Sequence, residues 1–453
     1  MATQKGRMAE AIPPSPSAGC SIRRSDVQPP LTIGARQDFL LPFRPLSGQQ
    51  TNFRLSLPTD YLAREQPLPL LLSFHGWGET LDDSNDLHDH GIRNSYVVAA
   101  PLGYDDGDAT MYTSFNGAGT TRVWPLENAA SGGKTCRVFS SRYQGNCYPS
   151  CGACQDKCSW TTCEDSVAQT EALLDHILAT VCVDERRVFA TGESNGGIFL
   201  FELARDFRMQ GRIAGYVPVI GLPHASFLPM PRTGPVPLTG IWGRSDTTIP
   251  PFADPGASGN VSISSDSDMP GEVSFMFWSA EETTRAWARA NGCEGEPRAL
   301  NSTHLAKDWE ARAEYNLSCS GWTWTQCKQG AEVIRCYFDG EHEIPAFRGA
   351  AIHSFMRRHA LGASQLAPSR PHAWLSAGSV GLTPVLVETS GTPSGWVSFL
   401  LIGFLIFVVV LLIFLVSHRR RTHEKRRLLS SLRQRGITVA RMNVVELPVE
   451  QLA

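Results

Sequence analysis

Short apolar segments alternate with amphipathic helical segments over residues 35–362. The apolar segments have the length of buried strands, and the clearest of them are 70–74, 96–100, 187–191, 238–242 and 333–337. Helical periodicity is found between or after them, at about 164–181, 197–204 and 348–356. Strands that alternate with helices favour the α/β class. We therefore predict a mostly parallel central sheet with helices on both faces.

A longer apolar segment lies near the carboxyl end of the chain. Residues 396–416 form a run of 21 residues without a charge, which as a helix spans ~31 Å, the thickness of a bilayer core. Six Lys and Arg residues follow between positions 419 and 427. Because positive residues favour the cytoplasmic side, we predict a transmembrane helix at 396–417 in a single-pass membrane protein, with the larger domain extracellular or luminal.

Composition separates three further segments. Residues 1–34 are rich in Pro and Arg and lack the apolar core of a signal peptide, so we expect them to be disordered. Residues 363–395 are rich in Ser, Thr, Pro and Gly, which predicts a flexible stalk. Residues 418–453 carry nine Lys and Arg against three Asp and Glu, so they form a basic cytoplasmic tail suited to anionic lipid. The remainder of the chain is acidic, which gives no indication of nucleic-acid binding.

Cysteine usage agrees with an extracellular or luminal domain. Six of the 12 cysteines fall between positions 136 and 163, within the segment 105–163, which we interpret as a Cys-rich insertion. Disulfides persist on that side of the membrane, although the spacing of Cys151 and Cys154 leaves a zinc knuckle as the alternative. We expect the later cysteines to pair among themselves or with the insertion: Cys182, Cys293, Cys319, Cys327 and Cys336. Glycosylation sequons at Asn260, Asn301 and Asn316 lie on the same side.

The pentapeptide 192–196, Gly-Glu-Ser-Asn-Gly, points to chemistry. It follows the apolar run 187–191 and opens the helical segment at 197–204. A G-x-S-x-G sequence between a strand and a helix is typical of a nucleophile elbow, in which the turn is so tight that glycines flank the serine. The motif alone is common by chance, so its neighbours decide its meaning. Ser194 is the predicted nucleophile.

Three other segments supply that context. Residues 75–78, His-Gly-Trp-Gly, form a loop after a buried strand, where an α/β-hydrolase places half of its oxyanion hole. Asp246 follows the run 238–242, and His342 follows the run 333–337. The chain order of serine, acid and histidine is that of the α/β-hydrolases. We interpret His75 as a residue that shapes its loop and His353 as a helix-surface residue.

These segments resemble the secreted feruloyl esterases and polyhydroxybutyrate depolymerases of carbohydrate esterase family 1, over about residues 50–360. The resemblance is carried by 75–78, 187–197 and 243–250. In that family the acid sits in Gly-x-x-Asp-x-x-Val-Pro, which this chain matches with Ile249 for the valine. The histidine usually follows paired glycines and precedes x-Trp-Pro, where this chain has Glu341 and Ile344. The resemblance implies an α/β-hydrolase fold and an ester substrate, such as acyl groups on polysaccharide or polyester-like oligomers.

The expected roles follow from this pattern. Ser194 attacks the ester, His342 takes and returns the proton, and Asp246 orients the imidazole, without a metal or organic cofactor. The amides of Asn195 and of Gly76 or Trp77 stabilise the oxyanion. Trp124 and Trp160, in the insertion, are expected to contact the substrate; the alternative is that they pack the subdomain. The sequence thus predicts a membrane-tethered serine carboxylesterase, and the alternative is an inactive hydrolase-fold domain that acts in binding or adhesion.

Overall fold

The computed structural model describes most of the region predicted to fold. The described residues are 12–21, 31–41, 43–45, 48, 50–108, 111–117, 148–151, 160–225, 231, 234–257, 259–265, 274–300, 315–362 and 365–366. Cα proximity divides the chain into Met1–Val385 and Leu386–Ala453, and all described residues belong to the first unit. Three predicted segments therefore lie wholly or almost wholly outside the described residues: the stalk at 363–395, the transmembrane helix at 396–417 and the tail at 418–453.

A ten-stranded sheet forms the centre of the domain, in the order β1-β2-β4-β3-β5-β6-β7-β12-β11-β10. Its strands are β1 Arg36–Leu40, β2 Asn52–Ser56, β3 Leu68–Phe74, β4 Val97–Pro101, β5 Val183–Glu193, β6 Gly215–Val219, β7 Leu238–Gly243, β10 Arg298–Leu300, β11 Ser318–Trp322 and β12 Val333–Phe338. Strands β4, β3, β5, β6, β7 and β12 are parallel, and the strands at both ends of the sheet pair antiparallel. A separate antiparallel pair consists of β8 Val261–Ile263 and β9 Met276–Trp278.

Helices cover both faces of the sheet. They are α1 Asn85–Arg93, α2 Ser166–Thr180, α3 Asn195–Arg205, α4 Ala280–Ala290 and α5 Arg348–Arg358. Side chains of α2, α3 and α4 join one buried apolar cluster, and those of α1 and α5 join another. Neighbouring strand residues alternate between these clusters, since Leu70 and Leu72 belong to the first and Leu71 to the second. The predicted α/β class and the predicted placement of helices are confirmed, and the fold is consistent with an α/β-hydrolase.

The amino-terminal segment departs from the sequence prediction. Disorder was expected for 1–34, but residues 12–21 pack against the domain. A disulfide joins Cys20 to Cys182, and Ser17 Oγ donates to the Val181 carbonyl at 2.8 Å. Ser15 N–H also donates to the Asp184 carboxylate at 2.9 Å. The prediction is therefore wrong for residues 12–21, because a covalent bond to a residue 162 positions away compensates for the segment's polar composition.

The disulfides agree in part with the expected pairing. Cys293 pairs with Cys327 and Cys319 pairs with Cys336, whereas Cys182 pairs with Cys20 rather than with a later cysteine. Within the insertion Cys151 pairs with Cys163. Cys154 of the alternative zinc knuckle lies outside the described residues, and its partner in that motif, Cys151, is already paired.

In the described part of the chain, no helix is both long and apolar enough to cross a membrane.

Candidate active site

Ser194 lies in a sharp turn between β5 and α3. Its backbone dihedrals are φ 50° and ψ −115°, a region that side-chain-bearing residues rarely occupy. The flanking glycines make the turn possible. A Cβ on Gly192 would lie 2.5 Å from the Gly196 carbonyl carbon, and one on Gly196 would lie 2.2 Å from the Phe74 oxygen. The turn therefore places Ser194 at the carboxyl end of β5, half-buried, as a nucleophile elbow requires.

Asp246 and His342 meet Ser194 at this edge of the sheet. His342 Nδ1 lies 2.8 Å from Asp246 Oδ2, and His342 Nε2 lies 2.9 Å from Ser194 Oγ. Asp246 follows β7, His342 follows β12 and Ser194 follows β5. Along the chain, His342 lies 96 positions after Asp246 and 148 positions after Ser194. The structure thus brings together all three residues predicted from the sequence.

The surroundings of Asp246 fix the direction of its carboxylate. Oδ1 accepts hydrogen bonds from the amides of Thr248 at 2.9 Å and Ile249 at 2.8 Å, which leaves Oδ2 for His342. The Asp246 side chain is fully buried, whereas the His342 side chain is 23% exposed. A buried carboxylate opposite Nδ1 favours the tautomer with the proton on Nδ1. Nε2 then has a free lone pair that can accept the proton of Ser194 Oγ.

Backbone hydrogen bonds hold the aspartate and histidine loops together. Arg244 N–H donates to the Phe338 carbonyl and Ser245 N–H to the Gly340 carbonyl, both at 2.9 Å. A Cβ on Gly243 would lie 2.2 Å from the Glu341 oxygen, so only glycine permits this approach. The distance between Asp246 and His342 is therefore set by the backbone of both loops and not by their side chains alone.

The loop after β3 contains the amides of Gly76 and Trp77, which are the alternatives for the second oxyanion donor. Gly76 N–H donates to the Glu79 carboxylate at 2.5 Å, so this amide is occupied. Among the described residues, the amides of Trp77 and Asn195 have no acceptor. The loop also packs on the first turn of α3, since a Cβ on Gly196 would lie 2.6 Å from the His75 oxygen. Of the two alternatives predicted for the second donor, the Trp77 amide is therefore the one that is not already hydrogen-bonded.

His75 shapes this loop, as predicted. Its Nδ1 lies 2.7 Å from the Gly76 carbonyl, and its Nε2 accepts the Gly103 amide at 2.9 Å. Complete burial lowers the pKa of His75, which keeps the ring neutral with its proton on Nδ1. A neutral imidazole bonded at both nitrogens has no free atom for a reacting group.

The insertion contains two tryptophans, Trp124 and Trp160, that are predicted to contact the substrate. Trp124 lies outside the described residues. Trp160 is only 6% exposed, and its Nε1 donates to His224 Nε2 at 3.1 Å. Its ring also packs against Phe275, with 5.6 Å between the ring centroids. The structure corrects the prediction for Trp160, which is a packing residue with no open face for a substrate.

Aromatic side chains nevertheless surround Trp77. Its ring lies 4.3 Å from that of Tyr112, between centroids, and its Nε1 donates to Tyr148 Oη at 3.0 Å. Tyr148 Oη donates in turn to the Tyr112 carbonyl at 2.5 Å. Tyr112 is 52% exposed, so it presents an open aromatic face beside this loop. Tyr112 and Glu79 could not be predicted, because both lie in irregular segments that have no periodic pattern.

The remaining predictions for the site concern His353 and a bound metal ion. His353 lies on α5, where its ring is 5.5 Å from that of Tyr96, away from the serine. Groups of three or more His, Cys, Asp or Glu side chains that could hold a metal ion are absent from the residues described.

The chain has few detectable relatives at the level of sequence. No family model and no curated protein matches it. Solved structures with a similar arrangement include an acetyl xylan esterase from Aspergillus awamori, with 12% identity, a TM-score of 0.38, and coverage of 68% of this chain and 94% of that one. An S-formylglutathione hydrolase from Agrobacterium tumefaciens is 11% identical, with a TM-score of 0.30 and coverage of 48% and 78%.

A thermostable esterase is 16% identical, with a TM-score of 0.29; the match covers 48% of this chain and about half, 49%, of the esterase. Esterases and other hydrolases thus recur among the similar structures. At TM-scores this low the similarities do not decide function, and they do not identify the chain as a feruloyl esterase or a polyhydroxybutyrate depolymerase.

Proposed function

We propose that the protein is a serine carboxylesterase. The observation that carries the proposal is the continuous hydrogen-bond chain from Ser194 Oγ through His342 to Asp246, with distances of 2.9 and 2.8 Å. A serine hydroxyl is a weak nucleophile until a base lies within hydrogen-bond reach, and this chain supplies that base together with the group that orients it.

The reaction follows from these contacts. As Ser194 Oγ attacks the ester carbonyl, its proton moves to His342 Nε2, and Asp246 stabilises the imidazolium that forms. The tetrahedral oxyanion receives hydrogen bonds from the amides of Trp77 and Asn195, each worth on the order of 3 kcal/mol. His342 then gives the proton to the departing alcohol. Water, activated by the same imidazole, releases the acid and restores Ser194.

For the substrate, we propose acyl esters of the feruloyl or acetyl type on polysaccharide, or polyester-like oligomers. The support is the family resemblance of the loop at 75–78 and of the segments around Ser194 and Asp246. The exposed ring of Tyr112 beside Trp77 is suited to stacking on a phenolic or sugar ring.

For the location, we propose that the segment 396–417 anchors the enzyme in a membrane, with the domain outside and the tail at 418–453 inside the cytoplasm. The support is the uncharged run, the basic residues after it and four disulfides among the described residues. Two sequon asparagines, Asn260 and Asn316, are exposed in tight turns, where a glycosyltransferase could reach them.

The catalytic proposal is tested with a fluorophosphonate probe on the full-length chain in membranes. We expect the probe to label Ser194, and we expect p-nitrophenyl acetate to be hydrolysed. Both should disappear in Ser194→Ala, whereas Ser21→Ala, which changes an exposed serine of the amino-terminal segment, should keep both. If the folded wild-type protein neither labels nor hydrolyses any of a panel of acetyl, feruloyl and short-chain esters, the binding or adhesion function becomes the better conclusion.

The location is tested in intact eukaryotic cells. We expect a glycosidase to increase the mobility of the chain on a gel, and we expect this shift to shrink in Asn260→Gln and Asn316→Gln. Protease added outside the cell should digest the domain and leave the tail. A chain that carries no glycan and loses its large domain to a cytosolic protease would contradict the proposed orientation.

A further inference from the structure

A single buried guanidinium contacts three segments around the site. Arg348 is the first residue of α5 and is 3% exposed. Its Nε donates to Asp86 Oδ2 at 2.9 Å, and its second terminal nitrogen donates to the other Asp86 oxygen and, at 3.0 Å, to the Asp83 carbonyl. The first terminal nitrogen forms an ion pair with Glu193. All three nitrogens of the guanidinium group thus have a partner.

The contacts of Arg348 and its position in the chain connect three parts of the proposed catalytic machinery. Glu193 immediately precedes Ser194. Asp83 belongs to a short 3-10 helix, Leu81–Ser84, that follows the loop of Trp77, and its carboxylate caps the end of that loop by accepting the Thr80 amide at 2.8 Å. Arg348 itself follows the histidine loop by six residues, and its own amide donates to the Pro345 carbonyl at 2.9 Å.

The ion pair with Glu193 is also an electrostatic requirement of the elbow. The Glu193 carboxylate is 3% exposed and lies one residue from the nucleophile. One of its oxygens, Oε1, has no hydrogen-bond partner among the described residues. Arg348 therefore compensates a buried negative charge beside Ser194, and without it that charge would favour a different arrangement of the turn.

We propose that Arg348 is a positioning residue, which fixes Ser194, the Trp77 amide and His342 relative to one another by linking the three segments that carry them. This inference rests on the proposed esterase function. Lysine cannot replace it, because a point charge on a flexible stem cannot contact Asp86, the Asp83 carbonyl and Glu193 at fixed angles. Misplacement of catalytic groups by about 1 Å is enough to lower turnover on the order of 10²-fold.

A purely structural role makes a different prediction. It would lower the stability of the domain while leaving kcat of the remaining folded protein unchanged. The two roles are separated by kcat and KM measured well below the unfolding temperature, and by the downfield proton resonance of His342 Nδ1–H, which reports the contact with Asp246 independently of turnover.

The experiment compares three variants of the full-length chain with p-nitrophenyl acetate as the substrate. In Arg348→Lys we expect kcat to fall on the order of 10²-fold with KM changed less than about 3-fold, and we expect the His342 resonance to broaden. The double variant Glu193→Gln/Arg348→Met removes both charges together. It should fold where the single Arg348→Met does not, and it should show the same loss in kcat.

The matched control is Arg208→Lys. Arg208 is 16% exposed in its side chain and contacts two acids, Asp165 at 2.7 Å and Asp206, at the far end of α3 from Ser194. This variant should lose stability but keep kcat and the His342 resonance. Unchanged kcat and an unchanged resonance in Arg348→Lys would overturn the inference and leave the esterase intact. An inert wild type would overturn the proposed function, and the resonance alone would then decide whether Arg348 positions the triad.

Discussion

At the scale of single residues, the carboxylate of Asp246 shows how the site separates two tasks. Its Oδ1 is bound by the amides of Thr248 and Ile249, and this half of the group holds the turn. Its Oδ2 faces His342. Because the turn needs only one hydrogen-bond-accepting oxygen, an amide side chain can preserve the fold while it changes the group presented to the imidazole.

We therefore expect Asp246→Asn to fold normally and to lose on the order of 10⁴-fold in kcat, because the amide favours the wrong imidazole tautomer. Turnover of p-nitrophenyl acetate and thermal unfolding measure the two effects. Asp254→Asn, which changes a half-buried turn aspartate outside the triad, is the control and should keep full activity. A variant of Asp246 with near-normal turnover would show that another group orients His342.

Residue identity could be predicted only where a short motif carries it. Ser194, Asp246 and His342 each follow an apolar run, and this local signal was enough to locate all three. Trp160 was mistaken for a substrate contact because the exposure of an aromatic ring depends on partners such as His224 and Phe275, which lie 64 and more positions away. Arg348 has no local signal either, since its partners lie in a 3-10 helix, in α1 and at the end of β5.

At the scale of elements, a buried acid connects the beginning of β12 to the carboxyl end of α5. Glu332, just before β12, accepts hydrogen bonds from Arg358 at 2.9 Å and from His359 Nε2 at 2.9 Å. Burial alone would raise the pKa of Glu332, but the contacts with His359 and Arg358 outweigh it and lower the pKa to about 2. The carboxylate therefore anchors the carboxyl end of the helix that begins at Arg348.

This shift predicts a specific response to acid. The folded pKa is lower than the unfolded value of about 4.3, so the stabilisation is complete above that pH and disappears as the pH falls toward 2. Its full size is on the order of 3 kcal/mol. We expect urea unfolding to show a wild-type advantage over Glu332→Gln at pH 6 that shrinks below pH 4. Glu294→Gln, at an exposed position, should show no such advantage. A pH-independent gap between wild type and Glu332→Gln would contradict the assignment.

Five of the buried strands could be predicted from their sequence alone. The five apolar runs became β3, β4, β5, β7 and β12, because strands covered on both faces have few polar residues. In contrast, β10 and β11 at the edge of the sheet contain Arg, Ser, Cys and Gly, and their pairing depends on residues in the neighbouring strand. The short pair β8 and β9 is missing from the prediction for the same reason.

At the scale of the whole molecule, disulfides join distant parts of the domain. Cys20–Cys182 closes a loop of 162 residues, whereas Cys293–Cys327 closes one of 34. In the chain-entropy account the longer loop stabilises the fold by roughly 1 kcal/mol more than the shorter one, and each native disulfide contributes about 2–5 kcal/mol.

We expect removal of the long-range disulfide to have the larger effect on stability. The double variant Cys20→Ser/Cys182→Ser should lower the free energy of unfolding by about 3–5 kcal/mol, and Cys293→Ser/Cys327→Ser by somewhat less. Urea unfolding without reductant measures both. Kinetics with p-nitrophenyl acetate should be unchanged in the folded population of the first variant. Equal stability with and without Cys20 would mean that the amino-terminal segment adds nothing to the domain.

The Cys20–Cys182 disulfide also determines at which end of β5 a fusion partner or a solid support can be attached. Cys182 immediately precedes β5 and Ser194 immediately follows it, so the two residues lie at opposite ends of this strand. A tag, a surface linker or a fluorescent protein fused ahead of Pro13 would therefore leave the domain at the opposite edge of the sheet from the serine. Immobilising the enzyme through that end should keep the entrance to Ser194 facing the solution, even when the support is a bulky bead.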